Sequence, residues 1–417
     1  MGRIEKVLIF VNIIFLLAIL GAGLSKSKAI SDFRDYYRAS ALISQRADIY
    51  QYEEIKSLQN QYTIEDVLKN PELFSKLESM KGNLASYIYP PTFAFLLIPL
   101  TFLSYENASL IFFLLNFSCL LGSLYLMRNL LYPSRFTYVL FSALLFSFRF
   151  LENHANNNQV AFILFFLILY SLHTTKKFFA GIALSLAIII KLTPLIFILY
   201  FFYKKKFKIL IYTLLGLIFW GILPLLIDIE YGITNWQNWF EMVLLNVMKN
   251  PIFRAWKNNQ SLIGTLAKYF LEGADPLNQA IFKMPFAYLS VASVKMLFNF
   301  LVLLILFPLF YRYRKGIDSP QHISALFILS VIFSGISWIH TFSFFVFPIG
   351  YLYKRISERK GTNWKKIIFF TLGFLIIITG KSIGGQIIDS ISLMYSLLLY
   401  IGLGFYFLVL SLQPKES

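Results

Sequence analysis

Long apolar stretches recur along the whole chain, and they leave few folds open to it. Val7–Gly23, Ile209–Ile227 and Phe298–Phe310 carry few or no charges, and about 20 such residues cross a bilayer as a helix. Backbone polar groups in lipid must be satisfied within the spanning structure, so runs of this length select helices. Charged residues make up 14% of the chain, against roughly 25% in soluble domains. The fold class expected is an all-α polytopic membrane protein. The remainder of the chain is full of further apolar runs, so the first reads as a retained span and not a signal peptide. Cys119 lies in an apolar run and reads as a small core residue; a lone cysteine excludes an internal disulfide.

A net charge of +17 would suit a nucleic-acid partner, but its distribution points to a membrane instead. Basic residues recur in short loops: Arg128 and Arg135, Lys176 and Lys177, Lys204–Lys206 with Lys208, Arg312 through Lys315, and Lys354 through Lys366. Such loops face the cytoplasm. With the N-terminus inside, spans are predicted near 7–25, 106–127, 136–150, 159–173, 178–190, 193–203, 209–227, 289–311, 322–338, 341–353, 367–382 and 393–411. The twelve crossings put both termini inside. The inner segments then hold 20 Lys and Arg against 4 acids, and the rest of the chain 18 against 17. Counting Ile88–Phe102 as a crossing would put several basic loops outside. With Pro90, Pro91 and Pro99 it reads as a re-entrant or interfacial helix.

One membrane domain, 1–417, is expected, with outer loops at 26–105 and 228–288 separating the first span, the core spans 106–227 and the C-terminal spans 289–417. Segments 178–190 and 193–203 are short for a straight crossing, and read as tilted or as a hairpin broken at Lys191-Leu192-Thr193-Pro194. Thr63 and Asp66 fit a capping box, and Asn70-Pro71 fits a helix start. Trp236, Trp239, Phe240 and Val243 recur at helical spacing, as in an amphipathic helix lying in the interface.

Five polar islands fall on the outer side of this threading: Asp32 with Asp35, Asn153 through Gln159, Lys191, Asn258-Asn259-Gln260-Ser261, and Trp338-Ile339-His340. Ionisable groups near lipid are costly and mark function more often than packing. Each island still carries two readings. Asp32 and Asp35, near Arg34 and Arg38, are either a solvated loop start or a general base at the membrane surface. The Asn153–Gln159 run is a polar loop or an amide-rich ligand contact. Lys191 is a snorkelling lysine or a phosphate-binding ammonium. His340 is an interfacial histidine unless it faces Asp32. The histidines show no metal-site spacing, and no phosphate-loop, nucleophile-elbow or Rossmann pattern appears.

Taken in order, these residues match a known pattern. Asp32-Phe33, Tyr36-Tyr37-Arg38-Ala39, Asp48-Ile49-Tyr50 and Tyr87-Ile88-Tyr89-Pro90-Pro91 with Pro99 resemble the opening of the family 87 glycosyltransferases. Asn158-Gln159 resembles the family's Gly-Gln island, and Gly181 through Lys191-Leu192-Thr193-Pro194 its G…K-x-x-P segment. Asn259-Gln260-Ser261-Leu262 is similar to N-Q-S-L, and Ser337-Trp338-Ile339-His340 to S-W-x-H. One departure, Asn158 in place of glycine, points to altered loop geometry before Gln159.

The resemblance implies a GT-C fold, a cavity open to the outer face, and transfer of a sugar, mannose, from a polyprenyl-phosphate donor to a glycolipid or glycan acceptor. It makes Asp32 the base, with Asp35 as the alternative, and His340 a second catalytic residue. Lys191, Arg34, Arg254, Lys257, Gln159, Asn259 and Gln260 become candidates for the donor phosphate or sugar. No metal, cofactor or nucleic acid is expected. The location expected is the inner membrane of a prokaryote. Two other classes fit many spans with intramembrane polar groups: a transporter or flippase of lipid-linked glycans, and a non-catalytic component of a glycan-assembly complex.

Overall fold

A computed structural model describes residues 2–50, 87–245, 249, 251–272, 284–358 and 363–413, without the side chains of residues 252 and 253. Among these residues the secondary structure is helical, with no strand. The capping box at Thr63 and the helix start at Asn70 lie outside the described residues.

Among the described residues four helices are long and apolar enough to cross a membrane, or up to six if each of two bent pairs is one span. The four are α1 (Arg3–Lys26), α4 (Tyr105–Leu131), α9 (Phe207–Ile222, continued by a 3-10 turn to Leu226) and α12 (Val291–Lys315). Of these, α1, α9 and α12 expose large apolar side chains such as Phe10, Leu17, Leu214, Phe219, Leu303 and Phe307. In water this would be an unstable surface; in lipid it is the expected outer face of a bundle. The core lies elsewhere. Nearly every residue of α13 (Ser319–Ile332) is buried, packed by α14 (Val346–Ser357) and α17 (Leu397–Ser411).

Short breaks, where the chain turns sharply, set up the site. Helix α5 (Phe136–Asn157) turns through 119° at Asn158 into α6 (Ala161–His173). Helix α7 (Lys177–Ile190) stops at Lys191, whose backbone is extended, before a 3-10 turn at Thr193–Phe197 and α8 (Ile198–Tyr203). Pro194 is consistent with that stop: in a continuous helix its ring would clash with the Ile190 carbonyl, and it has no N–H to bond there. Gly181 sits where α7 meets α9. A Cβ there would lie 2.7 Å from the Tyr212 carbonyl carbon and 2.8 Å from the Thr213 nitrogen, so the close approach of the two backbones needs glycine.

The prolines of the 26–105 segment give two short helices, α3 (Pro91–Leu96) and a 3-10 turn at Ile98–Phe102. In the 228–288 segment, α10 (Ile229–Asn238) runs into a π-helical segment, Trp239–Leu245, and α11 (Leu262–Phe270) follows a short turn at Pro251–Arg254. Helix α15 (Asn363–Ile378) bends by 88° into α16 (Lys381–Met394), which exposes Ile383 and Ile387.

Basic residues collect at one end of this bundle. Lys354 donates to Leu131 O, Arg312 to Leu412 O at 2.7 Å, Arg355 to Gln413 O at 2.6 Å and Lys365 to Ser411 O at 2.8 Å. Each covers an unsatisfied carbonyl at or just past a helix C-terminus, where a cation also complements the helix dipole. The polar islands gather at the opposite end.

Candidate functional site

Asp32 is the residue before α2 (Phe33–Ser44), and its side chain makes no capping bond to that helix. The helix is amphipathic. Phe33, Tyr36, Ala39, Ser40 and Ile43 form its buried face, with Phe33 stacked on Phe112 at 4.9 Å and Tyr36 edge-on to Phe93 at 5.1 Å. These rings fix the start of α2, so Asp32 turns inward, half-buried, and Gln159 Nε2 donates to its Oδ2.

Burial raises the pKa of Asp32 above the ordinary carboxylate value. The Gln159 hydrogen bond opposes that, the nearby Asp35 charge adds to it, and Lys191 and Arg34 pull it down. Desolvation dominates, which makes Asp32 a better proton acceptor than an exposed carboxylate. Asp35, also half-buried, pairs with the exposed Arg34 at 3.7 Å.

Gln159 is 5% exposed. Asn158 before it adopts the left-handed region at φ 47°, ψ 52°. Glycine takes that conformation freely and asparagine best among the rest. Its Nδ2 also donates to Ser109 O at 2.9 Å, which ties the turn to α4. The departure from glycine is thereby accommodated in the turn.

Lys191 brings its ammonium 5.8 Å from the centre of the Tyr89 ring. It lies within electrostatic reach of Asp32, His154 and His340. His340 is buried at the start of a 3-10 helix, Ile339–Phe345. His154 is fully buried, stacked on Phe162 at 3.6 Å, and accepts from the Phe162 N–H at 3.2 Å. Asp32, Gln159, Lys191 and His340 are therefore brought together. Sequence reasoning gave His154 no role here, although it lies in the Asn153–Gln159 island.

Asn259 and Gln260 are placed differently. Asn259 Nδ2 donates to Arg254 O at 2.9 Å and Gly335 O at 3.2 Å, while its Oδ1 accepts from the N–H groups of Ser261 and Ser337. Gln260 donates from its backbone to Ser337 O at 2.7 Å, and from Nε2 to Lys257 O and Leu393 O. The N-Q-S and S-W-x-H segments are thus bonded to each other, and these amides bracket loop backbone. That bracket leads into the turn carrying His340.

Arg254 lays its guanidinium against Gly335, where a Cβ would come within 3.0–3.2 Å of it. Burial lowers its pKa to about 10. The carbonyl of Lys257 accepts from Gln260 and from the buried Lys268 ammonium at 3.3 Å.

Trp239 Nε1 donates to Ile88 O at 3.2 Å, beside Tyr89. An open groove of about 500 Å³, lined by Gly221, Leu225, Ile233, Trp236, Trp239 and Phe240, adjoins that contact. Among the described residues no three His, Cys, Asp or Glu side chains group as metal ligands.

The model of glycosyltransferase family 87 matches residues 87–335. Gln159, Lys191, Arg254, Asn259 and Gln260 fall inside that stretch, and Asp32 and His340 flank it. No curated protein and no solved structure matches the chain.

Proposed function

The chain belongs to glycosyltransferase family 87 and is a membrane glycosyltransferase; on that premise we propose that it transfers mannose from a polyprenyl-phosphate monosugar to a hydroxyl of a glycolipid or glycan. The fold is GT-C with about twelve crossings in a prokaryotic inner membrane. The Asp32 end faces outward, because the basic end obeys the positive-inside rule.

Asp32 takes the proton of the acceptor hydroxyl as that oxygen attacks the anomeric carbon. The bond from that carbon to the phosphate oxygen breaks, its electron pair leaves with the polyprenyl phosphate, and the anomeric centre inverts. Base, nucleophile and leaving group must be in line, which a rigid site supplies by positioning. Charge grows on the departing phosphate, and the Lys191 ammonium stabilises it. His340 orients the sugar or the acceptor, and no metal takes part. The polyprenyl chain runs along the apolar groove beside Trp239. The observation that carries the reading is the Asp32 carboxylate: half-buried, raised in pKa, held by Gln159 and within reach of Lys191.

The test is Asp32→Asn, which keeps shape and removes the base. Purified protein is incubated with radiolabelled polyprenyl-phosphate mannose and a membrane-lipid extract as acceptor. Transfer is expected to fall by about 10²- to 10⁴-fold, and chelator to leave the wild-type rate unchanged. A variant that transfers at the wild-type rate removes Asp32 from the role. If Asp35→Asn is the dead variant instead, the base is Asp35.

A further inference from the structure

The amide of Gln159 can be oriented atom by atom. Its Oε1 lies 2.6 Å from the Tyr36 hydroxyl and 3.2 Å from the Tyr89 hydroxyl, and these two oxygens lie 2.9 Å apart. Two hydroxyl protons serve these three contacts. The tyrosines cannot both donate to each other, so at least one proton always points at Oε1. The Nε2 end is left facing Asp32, and an ionised carboxylate accepts only. Turning the amide over would set its oxygen against the carboxylate.

The frame around this amide is rigid. Tyr36 is 1% exposed and packs edge-on against Tyr89 at 5.0 Å. Tyr89 is held through its own carbonyl, which accepts from Tyr50 at 2.7 Å, and the neighbouring Pro90 carbonyl accepts from Tyr87 at 2.9 Å. The Gln159 backbone follows a left-handed residue tied to α4.

We propose that Gln159 is a positioning residue, oriented by the Tyr36 and Tyr89 hydroxyls, which holds Asp32 by Oδ2 in its ionised form and leaves Oδ1 to receive the acceptor's proton. This rests on Asp32 being the base. It moves Gln159 from the donor side of the reaction, where the family pattern had put it, to the base. The other groups that set the ionisation of Asp32 are Asp35 and Arg34 on its own helix and Lys191 from the break after α7. None of them fixes which carboxylate oxygen is free. Gln159 does, because it occupies one.

The experiment is the pH profile of kcat/KM for the full-length protein with radiolabelled polyprenyl-phosphate mannose and membrane-lipid extract. Gln159→Leu removes the donor that favours the carboxylate. The acid limb is expected to move upward by about one pH unit, the scale of a hydrogen bond to a charged group, and kcat to fall 10- to 100-fold. Gln159→Glu keeps the shape and the tyrosine contacts but sets a second carboxylate against Asp32, and should move the limb further up than leucine does. The double variant Tyr36→Phe, Tyr89→Phe retains the glutamine and frees its amide, giving a smaller upward shift.

A purely structural role predicts the reverse pattern, with glutamate tolerated and the limb fixed in every variant; that result overturns the proposal. Asp32→Asn in the same assay separates the two levels. If it is inactive while the limb stays put in the Gln159 variants, the positioning role alone fails. If it is fully active, the base and its positioning residue fall together.

Discussion

Two groups of amides stand at the same end of this bundle and do opposite work. Gln159 is held by side chains and turned towards a carboxylate, so its bonds depend on the protonation state of Asp32. Asn259 is held by four backbone groups from two loops, and none of those partners titrates. Both are buried to a similar degree, at 5% and 1% exposure. What separates them is the partner: backbone groups from two loops for Asn259, and a half-buried carboxylate for Gln159. Loss of the first should cost stability, and loss of the second should change rate and its pH dependence.

The largest expected effect lies on the chemical side, in Asp32→Asn: a loss of transfer of about 10²-fold or more with an unchanged melting profile in detergent. A melting point that falls with the activity would break the contrast by making Asp32 structural. Next comes Lys191→Met. With Lys191 in the proposed role beside the leaving phosphate, removing its charge should lower kcat by about 10²- to 10³-fold, with KM changed much less. A rise in KM alone would assign Lys191 to ground-state binding. On the structural side, Asn259→Ala leaves buried backbone donors and acceptors unpaired at about 1–3 kcal/mol each. The protein should melt several degrees lower, and the residual folded fraction should keep the wild-type acid limb. If that limb moves, the bracket reaches the chemistry, and the division between the two regions is wrong.

The membrane class was legible because apolar runs of that length have one economical fold, and the stop at Lys191 because a continuous helix would set the Pro194 ring against the Ile190 carbonyl. The short helices after Tyr89 follow from Pro91 and Pro99 in the same way. Gly181 belongs to the G…K-x-x-P segment, and its physical reason is the backbone of α9 lying against it. What the sequence cannot carry is the direction in which an amide points. Gln159 and Asn259 are alike in type and in polar context, and only the fold shows that one meets Asp32 and the other Ser337. His154 was passed over because asparagines surround it, as they would in a solvated loop. The bend at Asn158 instead folds that run back into the core. Tyr36 and Tyr89 enter the sequence reading only as residues of the family resemblance; their hydroxyl roles needed the 123- and 70-residue separations from Gln159 to be closed.

The smallest effect is the most discriminating in sign. Asp32 is half-buried, and the Asp35 carboxylate raises its pKa further by like-charge repulsion. A base must be ionised to act, so the rate falls as pH drops through that raised value. Asp35→Asn removes the repulsion, stabilises the Asp32 carboxylate and should move the acid limb downward, opposite to every Gln159 variant. The shift should be small, because Asp35 is already paired with the exposed Arg34. It should shrink as salt screens the exposed charges, whereas the shift caused by Gln159→Leu, a buried hydrogen bond, should not. Two profiles at two salt concentrations thus separate a field acting through solvent from a contact acting directly. A downward shift in Asp35→Asn that ignores salt would mean that Asp35 reaches Asp32 through the interior.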